Sequence, residues 1–186
     1  MGHHTFDAAN ATKLEDAARR YRYLSREELL WALEPGESDT VADLGSGTGF
    51  YTDAVAAHAA KVYAIDVQEA MHEYYRDKGV PGNTELVTSG VESLPFASGR
   101  LDKAVSTMTY HEFASAEALS ELSRVLAPGG RLVVVDWSVE GSGDDGPPLG
   151  ERFGTDDVTS ALREAGFGIE FQATRPETFL VVGRLR

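Results

Sequence analysis

The sequence has no cysteine, only four lysines in 186 residues, and no apolar run long enough to cross a bilayer. Without cysteine there can be no disulfide, no thiolate-bound metal and no cysteine nucleophile. A membrane span needs about 20 consecutive apolar residues, and nothing in the chain approaches that. Its start also lacks the basic-then-apolar pattern of a secretory leader. The lysines stand alone at Lys13, Lys61, Lys78 and Lys103, and no basic stretch is longer than Arg19–Arg20. With a formal charge of −13 and a pI near 4.7, the surface repels phosphate backbones and offers no nucleic-acid footprint. The expectation is a soluble, cytoplasmic protein with neither a membrane nor a nucleic-acid partner. Its oligomeric state is open, because no self-complementary apolar face is marked. The acid excess, with arginine carrying most of the positive charge, points to a halophilic setting in which salt screens self-repulsion. Unfolding that depends on KCl up to molar concentration would bear that out; stability indifferent to salt would not.

What is present reads as one globular domain. Hydrophobic residues make up 42% and charged residues 25% of the chain, near the averages for folded domains, and a chain of this length buries about 70% of its unfolded surface in a single core. Helix-like and strand-like segments alternate, which predicts an α/β domain with a largely parallel sheet. Ala8 to Arg20 and Ser25 to Leu33 read as helices, the second opened by a capping box of Ser25 with Glu28 and ended by Pro35–Gly36. Strands are expected at Thr40–Leu44, Lys61–Ile65, Thr84–Thr88, Leu101–Thr107 and Arg131–Asp136. The last of these contains LVVVD, apolar enough to be covered on both faces. Helices fill the intervals, running to about Ala60, from Glu69 to Lys78, and from Ser115 to Leu126 before Pro128–Gly129–Gly130. Glu140 to Leu149, rich in Gly, Asp and Pro, is a flexible loop. A helix capped by Thr155 then runs to Ala165, and Ile169–Thr174 with Phe179–Arg184 should form an antiparallel pair at the sheet edge.

The chemistry concentrates in VADLGSGTGF, residues Val41 to Phe50. A strand that turns at once into a helix leaves free N–H groups, and glycines let a ligand approach the backbone. A phosphate-cradling loop would end in Lys-Ser/Thr, which Thr48–Gly49–Phe50 does not supply. A dinucleotide loop would read G-x-G-x-x-G, whereas Gly45, Gly47 and Gly49 give G-x-G-x-G. Asp43, just before the loop, would repel a pyrophosphate and suits an ammonium or sulfonium charge. Asp66, roughly 20 positions after the first glycine, ends the second strand where a carboxylate can accept both hydroxyls of a ribose. Together these acids point to an adenosine that carries positive charge.

Read together, VADLGSGTGF, the Asp66 of YAID, SLPF and LSRVLAPGGRLVVVDW resemble the class I S-adenosylmethionine-dependent methyltransferases, nearest their ubiquinone/menaquinone-biosynthesis-like branch. The resemblance runs in order from about Val41 to Trp137. It implies a Rossmann-like, doubly wound, mostly parallel seven-stranded sheet with a C-terminal antiparallel hairpin. It also implies residues 1–36 as a helical cover and 37–186 as the cofactor-binding core. S-adenosylmethionine would be the cofactor and S-adenosylhomocysteine its product. Gly45, Ser46 and Gly47 would pass under the methionine part, Asp43 would lie near its amino group, and Gly49–Phe50 would open the helix. Asp66 would hold the ribose, Val67 flank the adenine, and Thr107 lie under the sulfonium. Where relatives carry Asp-Ala to meet the adenine amino group, this chain has Gly90–Val91, so only the backbone N–H of Val91 carries over.

Open α/β sheets bind ligands beyond the carboxyl ends of their strands, which selects Thr107, Tyr110, His111 and Glu112 on one side and Asp136 and Trp137 on the other. His111 is the candidate general base, since its ordinary pKa lies near neutrality, with Asp136 as a second catalytic candidate. Phe6, Tyr21 and Tyr23 from the cover, with Tyr110, Trp137 and Arg152, are candidates for lining the acceptor pocket, and Pro147, Pro148 and Arg152 for a lid. No metal is expected: the adjacent His3 and His4 cannot easily chelate, and no zinc-like spacing follows. The acidic charge and the lack of an Asn/Asp-Pro-Pro-Tyr/Phe run in STMTYHEF leave a small molecule as the methyl acceptor. Two other readings stay open on the residues: a non-catalytic sensor or partner protein that binds the cofactor or its product, and a nicotinamide-dependent oxidoreductase.

Overall fold

The computed structural model describes residues 8–186. Seven strands form one sheet in the order β3-β2-β1-β4-β5-β7-β6. The strands are β1 (Thr40–Leu44), β2 (Lys61–Asp66), β3 (Thr84–Thr88), β4 (Leu101–Thr107), β5 (Leu126–Trp137), β6 (Phe167–Thr174) and β7 (Thr178–Leu185). β1 to β5 run parallel, and β7 enters antiparallel between β5 and β6. The strand order reverses at β1, which pairs with β2 on one side and β4 on the other. The crevice at that switch point, beyond the carboxyl ends of the strands, is where an open α/β sheet can receive a ligand.

Two helical layers cover the sheet because its central strands are apolar on both faces. In β5, Val133 and Val135 face the layer of α2 (Arg26–Leu33) and α3 (Thr52–Ala56), together with Leu29, Leu33 and Val55. Leu132 and Val134 face the opposite layer, with Leu119 and Leu122 of α6 (Ala116–Val125) and Leu162 of α7 (Thr155–Glu164). The remaining helices are α1 (Ala17–Tyr23), α4 (Glu69–Lys78) and the short α5 (Tyr110–Phe113). Among the described residues no helix is long and apolar enough to cross a membrane.

Several boundaries differ from the sequence reading, each for a local reason. The first predicted helix splits: Ala8–Glu15 winds as a 3-10 helix, and Asp16, extended at φ −71° and ψ 94°, restarts the chain by accepting the Arg19 N–H at 3.1 Å. Of the expected capping box only half forms. Ser25 accepts the Glu28 N–H at 3.1 Å, but the Glu28 carboxylate turns instead to Arg175 at 2.6 Å. α3 stops at Ala56 rather than near Ala60, where the carbonyls of Ala56 and Ala59 are taken by the Asn83 side chain, both at 2.9 Å. β5 begins at Leu126, pairing with Leu101 before a register shift absorbs the Pro128–Gly130 turn signal. α7 is capped by Gly154, not Thr155, through the Asp157 carboxylate that accepts the Gly154 N–H at 3.0 Å.

Candidate active site

A cavity of about 890 Å³ opens at the carboxyl ends of β1, β2, β4 and β5. Its floor is the loop between β1 and α3. The N–H groups of Gly45 and Ser46 both donate to the Ile65 carbonyl at 2.8 Å, which folds the loop across the end of β2. Gly45 and Gly49 have φ of 72° and 80°, a left-handed conformation that disfavours side chains. Packing excludes a Cβ there as well, since one at Gly45 would collide with Thr109 and one at Gly49 with the Tyr75 ring. The third glycine, one place early for a dinucleotide loop, thus makes room for Tyr75. Gly49 and Phe50 do not reach the cavity; Phe50 packs on Tyr21 and Tyr51 at centroid distances of 5.4 and 5.0 Å.

Asp66 lines the cavity with its two oxygens each accepting one backbone N–H at 2.9 Å, from Gly47 and from Gln68. Burial raises its pKa, against the lowering effect of those N–H groups. A carboxylate offers about four acceptor positions, so the side chain is oriented yet keeps capacity for two hydroxyls. Val67 lies beside it, and Gly90 and Val91 line the facing wall. A Cβ on Gly90 would run into the Glu92 carboxylate, which folds back to the wall from two residues on. Sequence reasoning passed over Glu92, although it opens the ESLPF segment. Ser46 also lines the floor, and its buried hydroxyl has no partner within the protein.

Asp43 sits beneath the floor rather than in the lining. One carboxylate oxygen accepts the Thr52 hydroxyl at 2.6 Å and the other has no hydrogen-bond partner. Burial pushes its pKa up to about 6, against the pull of the Thr52 bond and of Arg20. An Asp66 with acceptor capacity to spare, a glycine floor that a ligand can approach closely, an unpartnered Ser46 hydroxyl and a buried carboxyl at Asp43 fit an adenosine bearing a cationic chain.

The far wall carries a His–Asp pair. His111 Nδ1 lies 2.9 and 3.1 Å from the two oxygens of Asp136, which also accepts the N–H groups of His111 and Trp137, both at 2.7 Å. Those donors need an acceptor-only carboxylate, which assigns the imidazole proton to Nδ1 and leaves Nε2 directed away from Asp136. Burial lowers the His111 pKa, but the Asp136 bond and charge, with Glu112 and Glu151, raise it above its ordinary value overall. His111, Glu112 and Thr107 line the cavity, whereas Asp136 stands behind His111, almost fully buried.

The roof comes from α1 and from the end of β5 with the loop that follows it. Tyr23 of α1 meets Trp137 edge-on at 4.6 Å, and both line the cavity. Arg19 binds Asp145 at 2.8 Å, and the Tyr23 hydroxyl donates to the same carboxylate. Arg152 does not line the cavity. It is buried, donating to the carbonyls of Pro147 at 2.8 Å and of Asp145, with its guanidinium 5.4 Å over the Trp137 ring. It shapes the Pro147–Pro148 roof instead of presenting charge to an acceptor. Tyr21 is exposed against Phe50, and Tyr110 is in the core against Phe113 and Phe153 at 5.4 and 5.6 Å, so neither lines the cavity. Phe6 lies outside the described residues. Lys13, Leu14 and Arg20 join the lining from the cover, none of them singled out by sequence reasoning.

Known proteins resemble this chain in sequence and in fold. A family described as a methyltransferase domain matches residues 42–134. The biotin biosynthesis bifunctional protein BioHC of Cellvibrio japonicus is 37% identical over 93 residues, covering 50% of this chain and 18% of that one. The ubiquinone/menaquinone biosynthesis C-methyltransferase UbiE of Escherichia fergusonii is 36% identical over 107 residues, covering 53% of this chain and 43% of that one. The chain therefore spans less than half the length of these curated relatives. A crystal structure of a SAM-dependent methyltransferase from Aquifex aeolicus superimposes with a TM-score of 0.88 at 31% identity, covering 98% of this chain and 100% of that one. On the matched methyltransferase domain, the likeness to UbiE and this end-to-end structural likeness, the protein belongs to the class I S-adenosylmethionine-dependent methyltransferases of the UbiE-like type.

Proposed function

We propose that the protein methylates a small molecule whose nucleophilic atom must shed a proton, and that His111 takes that proton. The observation that carries this reading is the His111–Asp136 pair, 2.9 Å apart in the cavity wall, with Nε2 on the side away from Asp136, 3.9 Å from the Glu112 carboxylate. S-adenosylmethionine, when bound, supplies an electrophilic methyl group on a sulfonium that departs as a neutral thioether. Asp66 holds the ribose hydroxyls, the Gly45–Gly47 floor carries the amino-acid chain, and the Glu92 carboxylate beside Gly90 accepts from the adenine amino group in place of the acid usual there. The roof of Tyr23, Trp137 and Pro147–Pro148 excludes water and fixes the acceptor in line with the methyl group, where orientation supplies most of the rate. Asp136 holds the imidazole in one tautomer and stabilises the imidazolium that forms.

A hydroxyl or an acidic carbon fits this apparatus better than a free amine, which needs no base. The activity of the UbiE relative, a C-methyltransferase, belongs to the same chemical class, because a C–H proton must leave. Asp145 and the acidic surface favour a small acceptor over a polyanion. Calorimetric titration with S-adenosylmethionine, S-adenosylhomocysteine and NAD, followed by labelled methyl transfer to a metabolite extract, tests the proposal. Saturable sulfonium binding and a labelled small product support it. NAD binding without sulfonium binding, or tight cofactor binding with no product, overturns it.

A further inference from the structure

The outermost strand, β6, carries a break that re-aims one side chain. Its pairing with β7 runs Phe167↔Leu185, Gly168↔Arg184 and Ile169↔Gly183, then skips Glu170 and resumes at Phe171↔Val182. Side chains alternate across a strand, so without that bulge Phe171 would follow Phe167 and Ile169 onto the layer of α6 and α7. The extra residue turns it to the opposite face, the one that Val182 shares with α2 and α3. There it meets Trp31 of α2 edge-on, with ring centroids 5.1 Å apart. Nothing among the described residues covers the pair: Trp31 is 54% exposed and Phe171 40%. The other large exposed apolar side chains, Tyr21, Val67, Val139 and Leu149, stand on the cover, in the cavity wall or on the roof loop, so this aromatic pair is a separate feature. Strict alternation in the sequence hides it.

Ion pairs border the two rings. Arg131 donates to the carbonyl of Ala32, next to Trp31, at 2.7 Å; it also bonds Glu170 at 2.8 Å and Glu34 at 3.3 Å, and Arg184 shares Glu170. Just past the end of β6, Arg175 holds Glu28, one turn before Trp31, at 2.6 Å. Three arginines thus meet three glutamates, and Arg26 and Glu27, exposed on the preceding turn of α2, add one charge of each sign. The chain as a whole has 17 bases for 30 acids. An aromatic centre inside a polar rim whose charges already have partners is the anatomy of a protein-binding hot spot. Charge selects the occupant. Over most of its surface a molecule of charge −13 repels another copy of itself. Here the signs cancel, and a two-fold axis can set the arginines of one rim against the glutamates of the other. A basic partner would be drawn instead to the acidic remainder of the surface.

We propose that Trp31 and Phe171 form the centre of a two-fold interface whose occupant is a second copy of this chain. Neither ring lines the cavity, so the contact lies away from the chemistry. An interface of standard size buries about 800 Å² on each side, which takes in the flanking ion pairs as well. Sedimentation equilibrium of the full chain at about 1–100 μM, in low and in molar KCl, tests the proposal. The wild type should approach twice its mass of 20.1 kDa. Trp31→Glu and Phe171→Lys should each weaken association by roughly 100-fold or more with the far-UV circular dichroism kept. Leu149→Lys, at a similarly exposed apolar position on the roof loop, should leave association unchanged. Should a charged variant disturb the fold, Trp31→Ala reads the same contact through a smaller loss of roughly 10-fold. A wild-type chain that stays monomeric throughout leaves the face to a different protein and overturns the proposal. A dimer that survives the Trp31 and Phe171 variants, or one lost equally in Leu149→Lys, overturns it too.

Discussion

Replacing Asp43 with Asn should make the ligand-free protein more stable, and only at a pH where the carboxylate is charged. The residue is fully buried, with one oxygen on the Thr52 hydroxyl and the other without a partner. Burial raises its pKa from an ordinary 3.8 to about 6, so the fold holds this proton more tightly than the unfolded chain does. Stability from this group is therefore greatest at acid pH and falls as pH rises between about 4 and 6, after which the loss is constant. Linkage converts that change into about 3 kcal/mol at pH 8 and about 1 kcal/mol at pH 4.5. Asn fills the same space and can accept the Thr52 bond, but carries no charge to desolvate. Urea unfolding of both proteins across this range should show the advantage of Asp43→Asn growing by about 2 kcal/mol towards pH 8, or about 4–8 °C in Tm for a chain of this size. Taking the difference between the two proteins cancels the other acids. An advantage that does not vary with pH, or one that grows towards acid, would refute the picture of an uncompensated buried charge.

Asp66→Ala should weaken S-adenosylhomocysteine by about 1.5–3 kcal/mol through two lost charge-assisted hydrogen bonds; an unchanged Kd in calorimetry would remove the ribose assignment. Asp136→Asn should cost about 10²- to 10⁴-fold in kcat with cofactor affinity kept. Because Asp136 holds the His111 pKa above its ordinary value, residual activity should reach its alkaline plateau at lower pH, and an unmoved pH–rate midpoint would deny the pair its role. Gly49→Ala should destabilise by about 2–4 kcal/mol, since left-handed backbone and contact with the Tyr75 ring add together; chemical denaturation at wild-type levels would show that the ring moves aside freely.

Periodicity sufficed for the strands, because the apolar run LVVVD and the shorter β1, β2 and β4 are buried almost throughout, while β3 at the sheet edge is only partly covered. The end of a helix was harder to read. Ala8 to Arg20 has helical composition throughout, yet Asp16 prefers to accept an N–H at a helix start, and that local bond divides the segment. The glycine loop and Asp66 were legible because backbone geometry and charge dictate them. Side-chain direction in short helices was not. α5 turns His111 and Glu112 to the cavity and Tyr110 to the core, and one position of helical phase separates those fates. Arg20 and Glu92 carried no local signal at all. Their place in the cavity lining depends on what the fold brings beside them, the Tyr51 and Phe50 rings in one case and a glycine without a Cβ in the other.

The contact between Arg19 and Asp145 joins residues 126 apart in the chain. During synthesis α1 emerges well before the roof loop, and it meets Phe50 and Tyr51 long before Asp145 follows. At about 5–20 residues per second, several seconds pass with α1 unclasped while the sheet assembles. The glycine floor cannot set much sooner, because Gly45 packs on Thr109 and β1 is flanked by β4, so the cavity takes shape only when most of its walls have emerged.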